Sequence, residues 1–508
     1  MAPSAIDNVV DAFHGVNGYH SNGVALTNGL QEITLTNGHS MNGHTTNSDA
    51  LLNSSPDPPL DLLCVGFGPA SLAIAIALHD TYPASAPAPK VLFMEKQRQF
   101  NWHAGMQLPG AKMQISFLKD LATPRNPRSH FTFLNYVFQQ GRLNHFINLG
   151  TFLPSRLEYE DYLRWCAGHF EREGNVSYGM EVEGLRVGDQ DHDGKATSWE
   201  VTARDQSGNL VTRRARKVVI AVGGRPVIPQ CLRGLRHIAH SSQFSSTITQ
   251  IQAREEGRPL KFAVIGSGQS AAEIFNDLSE RFPDAQVKLI IKGRSLRPSD
   301  DSPFVNEIFD PDRVDEIYNQ TPSERADALA LDRGTNYGVV RLELLEHLYE
   351  RLYMQRLRNQ DESTWRCRII TNRVVLAASQ SPSSNGVILK LVANRENKAD
   401  VNGGEEEIEA DYVFTATGYE RNAHADIISE TRDLFTGEAT KRVPVGRDYR
   451  VMYDEAKVDE QQAGVWLQGC NEATHGLSDT LLSILAVRGG ELVQSIFGGS
   501  YSNPKQAS

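Results

Sequence analysis

The chain has 508 residues, is 40% hydrophobic and 22% charged, and carries a formal net charge of −11 at pH 7. These are globular values for two or three domains, and an acidic balance without a long basic run argues against nucleic acid as the main partner. Five cysteines (Cys64, Cys166, Cys231, Cys367, Cys470) are scattered without paired spacing, which argues against a disulfide frame or a thiolate metal centre and points to a cytoplasmic protein; no apolar run approaches the ~20 residues that span a bilayer.

Residues 1–58 read as a disordered tail. Asn-Gly pairs begin at Asn17, Asn22, Asn28, Asn37 and Asn42 among polar residues, and such a stretch buries too little apolar surface to offset its ordering entropy. A strand then runs into Gly66-Phe67-Gly68-Pro69-Ala70-Ser71, followed by a helix-like apolar stretch over residues 73–78. The first glycine permits a tight turn, the second lets backbone approach a pyrophosphate, and the helix N-terminus faces the phosphates. The next strand, 90–95, ends in Glu95, an acid placed to accept from ribose hydroxyls, which suits FAD. Residues 218–224 form a further apolar strand with a glycine turn, leading toward a domain crossing.

The pattern then repeats. Residues 262–265 lead into Gly266-Ser267-Gly268-Gln269-Ser270-Ala271, and the strand 286–291 ends in Lys292-Gly293-Arg294. Cations there suit a 2′-phosphate, hence NADPH; the alternative is that both are solvated surface charges. A single loop of this kind is also found as a glycine-rich turn in unrelated α/β domains, but two, a domain apart, predict two nucleotides in one chain. Polar inserts are expected at 380–385 and 394–409, and the strand 411–419 as the return to the first domain. The predicted class is α/β: two dinucleotide-binding Rossmann-like domains, for FAD and NADPH, with a smaller substrate-binding region between them. The expected boundaries are 59–240 for the first part of the FAD domain, 241–410 for the NADPH domain with a helical insertion at about 298–350, 411–497 for the return segment, and 498–508 for a tail.

Residues 102–107, 112–117, 297–307, 335–337, 416–419 and 474–483 resemble the flavin-dependent N-hydroxylating monooxygenases, and within them the fungal branch that acts on L-ornithine at N5 for siderophore biosynthesis. The resemblance covers residues 60–497. It implies that NADPH reduces FAD, that reduced flavin and O2 form a C4a-hydroperoxide shielded by NADP+, and that the neutral amine of ornithine takes up the distal oxygen. It further implies a homotetramer.

By the same resemblance Gly66, Gly68, Pro69, Glu95, Lys96, Trp102, His103, Gln107, Val182, Thr480, Leu481 and Leu482 hold the flavin side. Gly266, Ser267, Gly268, Gln269, Ser270, Lys292, Arg294, Asn336 and Tyr337 hold the nicotinamide dinucleotide. Lys112, Asn306, Glu307, Ile308, Phe309, Asn336 and Ser483 bind substrate, with Asn336, Gln107 and Ser483 closest to the chemistry. Without it, Lys112 reads as an exposed loop lysine and Asn306 and Asn336 as turn residues. His475 and Asp479 invite an acid–base reading, although a histidine in a glycine-containing turn is more often structural. Lysine at position 292 departs from the family's arginine, a point charge in place of a fork. Residues 234–244 only loosely resemble the signature of broader flavin monooxygenases, which counts against a Baeyer–Villiger reading. A disulfide reductase would need a redox cysteine pair, which the sequence lacks. A lysine N6-hydroxylase stays open, since one methylene in a pocket is worth only about 1–3 kcal/mol, as does a non-catalytic nucleotide sensor.

Overall fold

Leu60–Val65 is a strand because its apolar residues are covered on both faces, with Leu62, Leu63 and Cys64 fully buried, the pattern of a parallel sheet flanked by helices. The computed structural model describes residues 58–82, 87–255, 257–382, 384–394, 404–437 and 442–498. Both expected tails, apart from Pro58 and Gly498, and residues 395–403 of the second expected insert lie outside them.

Leu60–Val65 pairs in parallel with Val91–Glu95 on one side and with the end of Leu210–Ile220 on the other. That 11-residue strand does two jobs. Its first half pairs antiparallel with Trp199–Arg204, which pairs in turn with Glu181–Val187. Its buried end, Val218 to Ile220, is shared in parallel with Gly464–Leu467. The helix Pro69–Thr81 buries eight consecutive residues, Ser71 to Leu78. It can do so because the C-terminal helix Leu485–Phe497 lies against it: a Cβ on Gly489 would fall 2.7 Å from the carbonyl of Ala73.

The second sheet repeats the plan. Its parallel order is Cys367–Ile370, Gln286–Ile290, Lys261–Ile265, Tyr412–Thr415, Ile238–His240, with a three-stranded meander of Arg373–Gln380, Val387–Ala393 and Glu406–Ala410. The expected return strand is therefore misplaced. Val413 lies between Ala263 and Ile238 in the second sheet, and the strand that returns to the first sheet is Gly464–Leu467. The strand Ile238–His240, placed by sequence at the end of the first domain, also belongs to the second. A short buried run reads the same whichever parallel sheet receives it. The crossings lie side by side, Arg225–Pro226 antiparallel to Tyr419–Glu420.

The inserts also differ from expectation. Gln380 pairs with Val387 where the strands Arg373–Gln380 and Val387–Ala393 meet, and its Nε2 donates to the carbonyls of Asn385 and Gly386 at 2.8 Å each. The acidic run ends in the strand Glu406–Ala410. The helical insertion leaves at Arg297–Pro298 and returns beside it at Val339–Val340. Between these lie Pro303–Asn306, a 3-10 turn at Glu307–Phe309, Arg313–Tyr318 and Pro322–Asn336, the last started by a Thr321–Glu324 capping box. The following helix, Leu342–Arg358, packs Leu344, Leu345, Leu348 and Leu352 into the second domain's core, so the insertion ends before it rather than at about residue 350.

Candidate active site

The two glycine loops occupy equivalent places at the carboxyl ends of their sheets, where open α/β sheets bind ligands. Gly66 has φ +91°, and a Cβ there would lie 2.6 Å from the carbonyl of Ala221. Gly68 caps the helix Pro69–Thr81, Pro69 opens it, and the space beside Gly68 is open. Glu95 is buried; its Oε2 accepts from Phe67 N at 2.8 Å and its Oε1 from Gln97 N at 2.9 Å, which leaves lone pairs on both oxygens for further donors. Lys96 follows it, exposed, and Val182 stands two residues past Met180, whose N–H bonds the Glu95 carbonyl at 2.9 Å. Three buried polar atoms around this edge have no partner: Ser71 Oγ in the helix's first turn, Gln468 Oε1 just after the last strand, and Gln107 Oε1. Buried orphans of this kind call for a ligand or water, so the site fits a dinucleotide that brings both donors and acceptors.

His103 adopts a left-handed conformation, φ 46°, at the start of the turn Ala104–Met106. Its side chain keeps contact with solvent. Desolvation there, with the nearby charges of Arg156 and Arg421, pushes its pKa down to about 4, so the ring is neutral at pH 7. Trp102 packs at 5.0 Å from His103, and its carbonyl accepts from Gln107 Nε2 at 3.0 Å. The turn is pressed against the second domain just after the strand Ile238–His240: Ser245 Oγ donates to the Gly105 carbonyl at 2.9 Å, and a Cβ on Gly105 would sit 2.1 Å from the carbonyl oxygen of Ser242.

In the second loop Gly266 has φ +143°, with the Ala416 carbonyl 2.4 Å from where its Cβ would be. Gly268 caps Gln269–Arg281 and faces Gly338, the second residue after Asn336. Ser267 Oγ lies 3.5 Å from where a Gly338 Cβ would be, and Ser270 occupies the helix's first turn. The Gln269 amide is already engaged, Nε2 to Glu273 Oε1 and Oε1 from Arg341 N, both at 2.9 Å. Lys292 and Arg294 stand exposed beyond the strand Gln286–Ile290.

The residues expected to bind substrate come from four separate stretches of chain, and the structure brings two of them together. Ser483 Oγ donates to the carbonyl of Phe309 at 3.3 Å, which brings the insertion, with Glu307 and Ile308, onto the loop of Thr480, Leu481 and Leu482. Asn306 donates from Nδ2 to the carbonyl of Asp301 at 2.9 Å, leaving Oδ1 as a free acceptor. Asn336 ends the helix Pro322–Asn336, and Tyr337 is anchored through its hydroxyl to Glu472 Oε2 at 2.6 Å. Lys112 is exposed on a short bridge to Ser155.

His475 and Asp479 do not form an acid–base pair. His475 is fully buried, stacks on Tyr449 at 4.2 Å and bonds the Arg447 carbonyl at 3.1 Å; desolvation brings its pKa down to about 4. Asp479 pairs with Arg488 at 2.9 Å and accepts from Asn471 N at 2.7 Å, stapling the 471–483 loop to the C-terminal helix.

Sequence reasoning missed a network that joins the two domains. Arg156 bonds Glu273 through two parallel contacts of 2.9 Å and the Met106 carbonyl at 2.7 Å. Arg341, buried, donates to the carbonyl of Met113 beside Lys112, at 3.2 Å. Arg421 was also missed; its charge acts on His103, Tyr337 and Tyr419.

The family model described as L-lysine 6-monooxygenase/L-ornithine 5-monooxygenase matches residues 58–421. The chain belongs to this flavin-dependent family. It is 48% identical over 456 residues to the L-ornithine N(5)-monooxygenase of Emericella nidulans, covering 88% of this chain and 91% of that protein. It is 50% identical over 461 residues to that of Cochliobolus heterostrophus, covering 86% of each. Among solved structures it resembles the ornithine hydroxylase PvdA of Pseudomonas aeruginosa, with a TM-score of 0.76, 37% identity and coverage of 86% of this chain and 99% of that one. The ornithine N-hydroxylase KtzI of Kutzneria sp. 744, a complex with reduced FAD, NADP+ and L-orn, gives 0.76 and 34% with the same coverage.

Proposed function

We propose that the chain hydroxylates N5 of L-ornithine, using NADPH, FAD and O2, and so supplies N5-hydroxyornithine for hydroxamate siderophores, in the cytoplasm and as a homotetramer. The observation that carries this reading is the junction of Ser483 Oγ with the Phe309 carbonyl, because it brings the insertion onto the 480–483 loop in a chain so similar to ornithine hydroxylases. Among the described residues no helix is long and apolar enough to cross a membrane.

The roles follow from what each group has left to give. FAD would rest its pyrophosphate at Gly66, Gly68 and Pro69 and its ribose at Glu95; NADPH would use Gly266 to Ser270, with Lys292 and Arg294 at the 2′-phosphate. Bound there, the flavin would carry electrons from NADPH to O2 and supply the oxygen atom. Lys112 offers an ammonium to the substrate carboxylate. Asn306 Oδ1 and the second lone pair of the Phe309 carbonyl accept from the α-ammonium. The Asn336 amide offers a donor and an acceptor to the side-chain amine and the nicotinamide, and Gln107 Oε1 accepts from the stacked dinucleotide. Ser483 orients the amine, which must arrive neutral to act as a nucleophile. Trp102, Leu481 and Leu482 exclude water.

Mass spectrometry of the product tests this reading. Incubation with NADPH and O2 adds one oxygen to ornithine and little or none to lysine. Equal turnover of lysine, or NADPH oxidation with no hydroxylated product, refutes it.

A further inference from the structure

One helix carries an apolar stripe on the side that faces away from its own domain. Leu342–Arg358 turns Leu344, Leu345, Leu348 and Leu352 inward. Its outward residues are Leu342, Tyr349, Tyr353 and Leu357, exposed by 55, 75, 55 and 64%. They recur at spacings of seven, four and four, so they share one face. Two charges lie on the same face, Glu346 in the first half and Arg356 in the second. Glu346 makes no ion pair among the described residues; Arg356 leaves 66% of its side chain exposed and has only a 4.0 Å contact to Glu362 and the face of Trp365.

The spacing of these groups is self-complementary. Laid antiparallel on itself about a two-fold axis at the level of residue 351, the helix sets Tyr349 against the second copy's Tyr353, twice. The same operation sets Glu346 against Arg356, twice. A parallel pairing would face Glu346 with Glu346. Antiparallel helices also oppose their dipoles favourably. A helix of this length, about 25 Å, buries on the order of 1,000 Å² in total with its twin, the lower bound for a specific interface.

We propose that this helix is a two-fold interface between copies of the chain, with the occupant of the stripe a second copy and the contact isologous. The proposal rests on the homotetramer reading, since it places one of the contact faces that such an assembly needs.

Sedimentation velocity on the full, FAD-loaded chain tests it. The parent sediments as a multimer. Tyr349→Asp combined with Tyr353→Asp halves its mass, while flavin content and reduction by NADPH stay as in the parent. Glu346→Arg and Arg356→Glu each weaken association at least tenfold, and combining these two reversals restores it. A parent multimer whose mass and dissociation constant ignore the tyrosine pair, or reversals that fail to rescue each other, overturns the interface. A parent that is monomeric at every concentration overturns the homotetramer reading with it.

Discussion

Replacing Arg156 with alanine is the sharpest test of how the two domains are held in register. Arg156 opens the helix Arg156–Arg172 in the first domain, and Glu273 sits on the helix that follows the second glycine loop. Their side chains are only 13 and 7% exposed. Removing the guanidinium strands a buried carboxylate, which costs about 3–5 kcal/mol if nothing moves. Interfaces between domains of one chain are modest in area and allow relative motion, so the second domain can relieve the charge by swinging away and admitting water. Either outcome disturbs the same places: Gln269 loses its ordered partner, and Met106, beside Gln107, loses a donor. A misplacement near 1 Å costs about 100-fold in a transfer step that needs alignment. Stopped-flow bleaching of the flavin by NADPH should therefore slow by about two orders of magnitude in Arg156→Ala. Flavin content should be retained, and hydrogen peroxide should leak in place of hydroxylated product. Arg156→Lys, which keeps charge but not the fork, should fall between. A double-mutant cycle with Glu273→Ala should return a coupling of about 2–3 kcal/mol. Reduction within twofold of the parent, with coupling to product intact, would refute the domain-fixing role.

Lys112→Ala should raise the KM for ornithine by roughly ten- to a hundredfold, the loss of one charge-assisted bond, with flavin reduction by NADPH changed less than twofold in stopped flow. Lys292→Ala should raise the KM for NADPH about tenfold and leave that for NADH nearly unchanged; equal losses in steady-state assays would remove the 2′-phosphate assignment. For His475, a folded pKa of about 4 against the ordinary 6.5 means that the unfolded chain binds more protons across that window. Its stability contribution is full above pH 6.5 and fades as pH falls toward 4, about 3 kcal/mol in all. His475→Asn should therefore flatten the dependence of unfolding free energy on pH between 4.5 and 6.5 by up to one proton, measured by denaturant titration; an unchanged slope would contradict the buried neutral ring.

The glycine loops were legible because a tight turn and a phosphate approach impose residue types at fixed local spacing, and Glu95 was legible because the fold dictates which strand end it occupies. The sheet that receives Tyr412–Thr415 was not, since four buried residues carry no record of their neighbours. The Arg156–Glu273 pair had no signal at all: its partners are 117 residues apart, and an arginine in a helix's first turn reads as an ordinary surface charge. His475 and Asp479 misled in the opposite direction. Their closeness in sequence suggested chemistry, yet Tyr449 and Arg488, remote in one case and on the next helix in the other, claim them.

The two glycine loops differ at their second glycine, and that difference bears on how the proposed substrate and dinucleotide sites are coupled. Gly68 looks onto open space, as a loop that admits a cofactor freely should. Gly268 instead looks onto Gly338, whose Cα is 3.5 Å from where a Cβ on Gly268 would be, with Gly338 itself held at φ +73°. The chain just past the helix Pro322–Asn336 therefore lies directly on the second glycine loop. Asn336 and Tyr337 cannot shift far without disturbing the second glycine loop, and Tyr337 is tied in turn to Glu472. One short stretch of chain thus belongs to the insertion by sequence and to both domains by contact. The backbone that follows position 336 is consequently set by the second glycine loop as well as by the helix that ends there, so the proposed contacts of Asn336 to both substrate and nicotinamide depend on that loop.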